Sequence, residues 1–147
     1  MIRTLFLDAD VVLDLLAKRA PWFVQSADIF SRIQAGQVHG ATSVLVFANL
    51  FYILRKIKGQ KEALAAMQKL KGLLRVMVTS EAALEQALNS EFTDFEDGIQ
   101  YYTAQSCGAS LLITRNIKDY KTETMPVMTP EQYLESIECY QSLEANL

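Results

Sequence analysis

Short apolar runs alternate with longer amphipathic stretches along this chain. Five runs read as strands: Ile2–Leu7, Val38–Thr42, Leu74–Val78, Ser110–Ile113 and Pro126–Met128. The stretches between them carry helical periodicity and predict helices over Val11–Lys18, Pro21–Gln34, Ser43–Lys56, Lys61–Lys71, Glu81–Leu88, Asp94–Cys107 and Pro130–Ile137. Pro21 suits a helix start, and Phe23, Ala27, Phe30 and Ile33 follow at helical spacing. Ser43–Lys56 is apolar nearly all round and reads as a buried helix. Ala63, Leu64, Met67, Leu70 and Leu74 form one stripe, and Gly36, Gly59 and Gly108 fall where helix C-caps belong. Strands alternating with helices predict an α/β fold, with a mostly parallel sheet of about four to five strands covered on both faces.

A chain of 147 residues is long enough for one domain with a sizeable core, here spanning 1–147. Near its end Tyr133, Leu134, Ile137, Tyr140 and Leu143 recur at near-helical spacing, so 136–147 reads as a helical extension or a frayed tail. The longest apolar stretch, Val44–Leu54, is too short to span a membrane, and no signal pattern opens the chain. Two isolated cysteines, Cys107 and Cys139, make neither a disulfide framework nor a zinc site, which fits a reducing cytoplasm. His39 is the only histidine, which removes most Ser/His and Cys/His catalysis. Any enzyme chemistry here rests on carboxylates.

The net charge of −3 is unevenly spread. Arg55, Lys56, Lys58, Lys61, Lys69, Lys71 and Arg75 face one acid, Glu62, within 55–75. Acids dominate 81–97 and 123–147. The basic stretch is either a solvated helical face or an electrostatic footprint for a polyanion.

The candidate chemistry gathers at strand ends. Thr4-Leu5-Phe6-Leu7 runs into Asp8-Ala9-Asp10, so two carboxylates lie at the mouth of the sheet, where open α/β sheets bind ligands. Asp10 is placed as N-cap or first-turn residue of the next helix; capping explains one of the two acids better than both. Hard oxygen donors there suit a divalent metal. Asp14, one turn on, reads as polar surface. In Glu91–Asp97, Thr93 and Glu96 fit a capping box, while Asp94 and Asp97 share one helical face as dipole compensation or half of a metal site. Ser110–Ile113 also ends in a polar cluster holding Thr114, Arg115, Asn116, Lys118 and Asp119; the two cations could hold phosphate. Asn49, alone among apolar neighbours, is either a satisfied core amide or a group facing the same crevice.

Taken together, Phe6–Asp14, Phe47–Leu54, Asp94–Gln100, Gly108-Ala109 and Leu112–Tyr120 resemble the PIN domain, the fold of VapC-type toxin ribonucleases. The resemblance spans Leu5 to Tyr133, and its weight lies in the order and spacing of the segments. It implies a three-layer α/β/α sandwich and a Mg²⁺- or Mn²⁺-dependent endoribonuclease. Asp8 matches the family's first acid, Asp97 the third, and Thr114 its small hydroxyl. Asp8 and Asp97 would be metal ligands, with Asp94 and Asp119 as further ligands or water-positioners. Thr114 and Asn116 would orient waters, and Asp10 and Asn49 would stand just behind. Arg55, Lys56, Lys58, Arg115, Lys118 and Lys121 would hold RNA phosphates. Asn49 stands where the family usually has Glu, and Asn116 where many members have Asp. The alternative is therefore a PIN-fold module that binds RNA or a protein with weak or no cleavage. The resemblance further implies a small antitoxin partner and a homodimer. Asp8-x-Asp10 is also similar to the start of haloacid-dehalogenase phosphatases, but Val11-Val12 replaces their Gly-Thr.

Overall fold

A computed structural model describes residues 2–120 and 124–146. Lys121, one of the expected phosphate contacts, lies outside them. The strands are β1 (Thr4–Leu7), β2 (His39–Ser43), β3 (Leu74–Met77), β4 (Leu111–Ile113) and β5 (Val127–Met128). The helices are α1 (Ala9–Leu16), α2 (Phe23–Gln34), α3 (Val44–Lys58), α4 (Gln60–Leu73), α5 (Glu81–Leu88), α6 (Phe95–Ser106) and α7 (Pro130–Ala145). A 3₁₀ turn covers Ile117–Asp119. All the sheet pairings are parallel, in the order β3-β2-β1-β4-β5. No helix among the described residues is long and apolar enough to cross a membrane.

The alternation of side chains along β1 explains the two covered faces. Leu5 and Leu7, with Leu111 and Ile113 of β4, pack beneath α1, α2, α3, α4 and α7. Phe6 and Leu112 point the other way, toward Tyr101 and Ala104 of α6 and toward Tyr120 and Met125. α5 lies against α6 and buries Ala83 and Ala87. This is a three-layer α/β/α sandwich.

Two expectations need revision here. α3 is not buried all round: Val46, Leu50 and Leu54 are fully buried, while Val44, Tyr52 and Ile57 are each more than half exposed. Its apolar residues exceed what one core-facing stripe can absorb. The last helix runs well past Ile137, without a break from Pro130 to Ala145, opened by a Thr129–Gln132 capping box. Gly59 both ends α3 and opens α4 at φ +88°, a backbone conformation that side chains with a Cβ resist.

β1 sits at the centre, with β2 on one side and β4 on the other. The chain winds outward in opposite directions from these two neighbours, so a crevice opens beyond the C-terminal ends of β1 and β4.

Candidate active site

The segments that follow β1 and β4 meet in that crevice. Asp8 leaves β1 in extended conformation and caps α1, its Oδ1 accepting from the Ala9 N–H at 2.7 Å. Thr114, fully buried at the end of β4, donates its hydroxyl to Asp8 Oδ2 at 2.9 Å and lies 3.3 Å from Asp10 Oδ2. Asp10 sits in the first turn of α1 rather than at the cap. Its Oδ2 accepts from the Arg115 backbone N–H at 3.0 Å, and its other oxygen, Oδ1, is buried with no protein partner.

α6 brings the second set of acids. Asp94 is its N-cap, with Oδ1 accepting from the Asp97 N–H at 3.2 Å. The expected Thr93–Glu96 capping box therefore does not form: the cap falls one residue later, on Asp94, a more favoured capping side chain than Thr. Glu96 instead accepts a hydrogen bond from Asn49 Nδ2 at 3.4 Å. Asn49 is half-buried on the rim rather than a core amide. The start of α3 and the middle of α6 are tied more tightly, where the buried Ser43 hydroxyl donates to Gln100 Oε1 at 2.6 Å.

Tyr120 joins the two sets and was not singled out in the sequence. Its hydroxyl donates to Asp8 Oδ2 at 3.1 Å and lies 3.4 Å from Asp97 Oδ1. Phe92 meets the Tyr120 ring edge-on at 5.6 Å and packs against Tyr101 and Tyr102, which fixes it. A lone Tyr after a short polar turn gives no signal in a sequence; only the fold aims it.

The electrostatics follow from crowding. Burial, more than anything else, pushes the Asp8 carboxyl above its usual range. Burial and then the Asp8 charge push Asp10 up to about 6. Burial, then Asp8, Asp94 and Asp119, push Asp97 up to about 7. Burial and the Asp8 charge hold the Tyr120 phenol far above its ordinary value, so it stays a donor. Carboxylates that resist ionising together are short of positive charge.

That shortage fits a divalent cation, as do the all-oxygen donors and the unpartnered Asp10 Oδ1. Among the described residues no three carboxylate, imidazole or thiolate groups converge on one point. An ion here would rest on one or two carboxylates and complete its shell with water and phosphate, the habit of Mg²⁺.

The remaining sequence candidates spread outward. Asp119 and Asn116 are exposed on the rim; the Asn116 N–H donates to Thr114 Oγ1 at 3.3 Å. Lys118 is exposed nearby. Arg55, Lys56 and Lys58 occupy the last turn of α3, roughly 20 Å along the helix from Ser43. There Lys58 Nζ donates to the Leu16 carbonyl at 3.0 Å, and Lys56 lies over the Tyr52 ring at 4.3 Å. Asp14, read as polar surface, is fully buried and pairs with Arg19 at 2.8 Å and Arg115 at 2.7 Å. Arg115 is thus committed to Asp14 instead of standing free for phosphate.

Comparison with known proteins agrees with this architecture. A family model described as PIN domain matches residues 4–118. The chain is 26% identical over 135 residues to Ribonuclease VapC1 of Aquifex aeolicus (strain VF5), covering 88% of this chain and 92% of the relative. Among solved structures, a toxin-antitoxin complex from Klebsiella pneumoniae superposes with a TM-score of 0.65 at 22% identity, covering 85% of this chain and 96% of that one. VapC20 of Mycobacterium tuberculosis, a Sarcin-Ricin loop cleaving toxin, gives 0.57 at 18% identity, covering 74% of this chain and 86% of that one. These structures share the fold, and the match over residues 4–118 carries the lineage: the chain belongs to the PIN domain family.

Proposed function

We propose that this protein is a divalent-metal-dependent ribonuclease that hydrolyses RNA phosphodiester bonds, the toxin half of a toxin–antitoxin pair. One observation carries the reading: Asp8, Asp10 and Asp97 crowd the switch point of a parallel sheet with raised carboxyl pKa values, and the Arg115 charge offsets only part of that rise at Asp10. Mg²⁺ or Mn²⁺ would be held by Asp8 and Asp97, with Asp94 beside them. When bound, such an ion supplies an acidified water and neutralises charge developing on phosphate oxygens.

The chain's own groups prepare that chemistry. Thr114 and Tyr120 each donate to Asp8 Oδ2, fixing the carboxylate's orientation. The Arg115 N–H does the same for Asp10. Tyr120 also lowers the cost of ionising Asp97. Asp119, exposed on the rim, is suited to position the attacking water, and Asn116 to orient the water shell. Lys118, exposed two residues after Asn116, offers a phosphate contact close to the pocket in sequence; Arg55 and Lys56 offer others farther along α3.

An antitoxin partner is supported by an apolar groove of about 560 Å³ lined by Val44, Phe47, Leu64, Met67 and Val76, beside the exposed apolar residues of α3. A homodimer accompanies this reading and is checked by light scattering.

The amides at Asn49 and Asn116, and the lack of a third converging ligand among the described residues, favour a second reading: a PIN-fold module that binds RNA or protein without cutting. One assay separates the two. The purified protein is incubated with structured RNAs and Mn²⁺, beside Asp8→Asn. Cleavage that stops with EDTA and with Asp8→Asn supports the nuclease. Cleavage surviving Asp8→Asn removes Asp8 from the mechanism. Absence of both cleavage and calorimetric Mn²⁺ binding leaves the binding module.

A further inference from the structure

Beyond the carboxylates, a second built feature adjoins the same crevice. Trp22, the only tryptophan of the chain, opens α2 and keeps 38% of its surface exposed. The Arg115 guanidinium lies over its ring, 3.9 Å from the centroid. Arg115 cannot swing away freely, because Asp14 holds it at 2.7 Å from a position with no solvent exposure, while Arg19 pairs with the same carboxylate. Three charges are thereby spent on holding one cation over the face of one aromatic ring.

A cleft of about 190 Å³ is lined by this pair and by Gln25, Asn116, Pro130 and Glu131. It is smaller than the roughly 300–1,000 Å³ of a drug-sized site, and so suits one planar ring system. Its walls combine flat faces with amide and carboxylate groups able to bond the edges of that ring. Its position is fixed relative to the acids. The backbone N–H of Arg115 bonds Asp10, and the adjacent Thr114 bonds Asp8.

We propose that Trp22 and Arg115 form a stacking platform for one unpaired nucleobase of the RNA, next to the phosphate that meets the carboxylates. The inference rests on the ribonuclease reading and deepens it: the substrate is held single-stranded at this point, because only a splayed base presents its face. Single-stranded RNA is commonly gripped by stacking on aromatic rings and guanidinium planes. Asp14 is a positioning residue in this arrangement, acting through Arg115.

The test uses the sole tryptophan as its own reporter. Full-length Asp8→Asn protein with Mg²⁺ is titrated with a short, end-labelled single-stranded RNA. Label anisotropy follows binding, and tryptophan fluorescence follows stacking. Quenching that saturates together with binding is expected. An oligonucleotide with one abasic site scanned along its length should lose the quenching at one position only. Trp22→Leu should weaken binding by about tenfold, and Trp22→Phe, which keeps a ring, by much less. The abasic series needs no change at Trp22, so it stands even if Trp22→Leu fails to fold. Binding by anisotropy with unchanged tryptophan emission overturns the platform and leaves the ribonuclease reading in place. No binding of any RNA overturns both.

Discussion

Tyr120 sets the proton balance of the pocket, although it carries no charge. Its hydroxyl favours the ionised forms of Asp8 and Asp97, opposing the effect of burial. Tyr120→Phe removes that help, so both carboxyls rise further. A metal-dependent rate then fails at higher pH, because protons hold the ligands longer as pH falls. A hydrogen bond worth about 1 kcal/mol moves the acid limb of the pH–rate profile up by roughly half to one unit. An unmoved limb in Tyr120→Phe would remove Tyr120 from this role. The sequence exposed the acids more readily than their partners. Asp8, Asp94 and Asp97 follow apolar or capping patterns that any reading of the chain picks up. Asp14 was misread because nothing local distinguishes a buried acid from a surface one; its partners, Arg19 and Arg115, lie 5 and 101 residues away.

The start of α6 does two jobs with one residue. Asp94 caps the helix, and its charge also raises Asp97. The two roles separate by substitution. Asp94→Asn keeps a good capping side chain and removes the charge, so Asp97 falls below about 7 while burial and Asp8 still hold it raised, and the helix holds. Asp94→Ala loses the cap and costs about 1 kcal/mol before any relief of repulsion. Thr93→Ala stays within about 0.5 kcal/mol, since Thr93 caps nothing. Urea denaturation and an NMR titration of Asp97 read all three. The sequence placed this helix within a residue at each end but chose the wrong cap, because Thr93 and Asp94 are both good capping residues and adjacent. It also overestimated the burial of α3: an all-round apolar pattern shows that a helix is to be covered, not that its own chain covers it.

Across the whole molecule, the crowded acids tie stability to pH. In the metal-free protein Asp10 and Asp97 bind protons more tightly folded than unfolded. Their protonation therefore favours the fold, fully below about pH 4, and this support is lost as pH rises through about 6 to 7. With EDTA present, the unfolding temperature should fall from pH 5 to pH 8. Mn²⁺ should raise it at pH 8 more than at pH 5, since stabilisation grows with the logarithm of ligand concentration over Kd and protons on the acids weaken that Kd at pH 5. Calorimetry with and without the ion checks both, and an equal Mn²⁺ effect at the two pH values would count against a metal held by these acids. The strand and helix alternation made the parallel sheet readable from the sequence; the strand order was not, because nothing local says which strands are neighbours. That order has a temporal side. β1 is made first but is completed by β4, and Asp8 meets Thr114 across 106 residues of chain. At about 5–20 residues per second of synthesis, roughly 5–20 s pass between the two. The pocket is thus assembled only once β4 has been made, and a nascent chain that stops short of Thr114 carries scattered acids rather than a site.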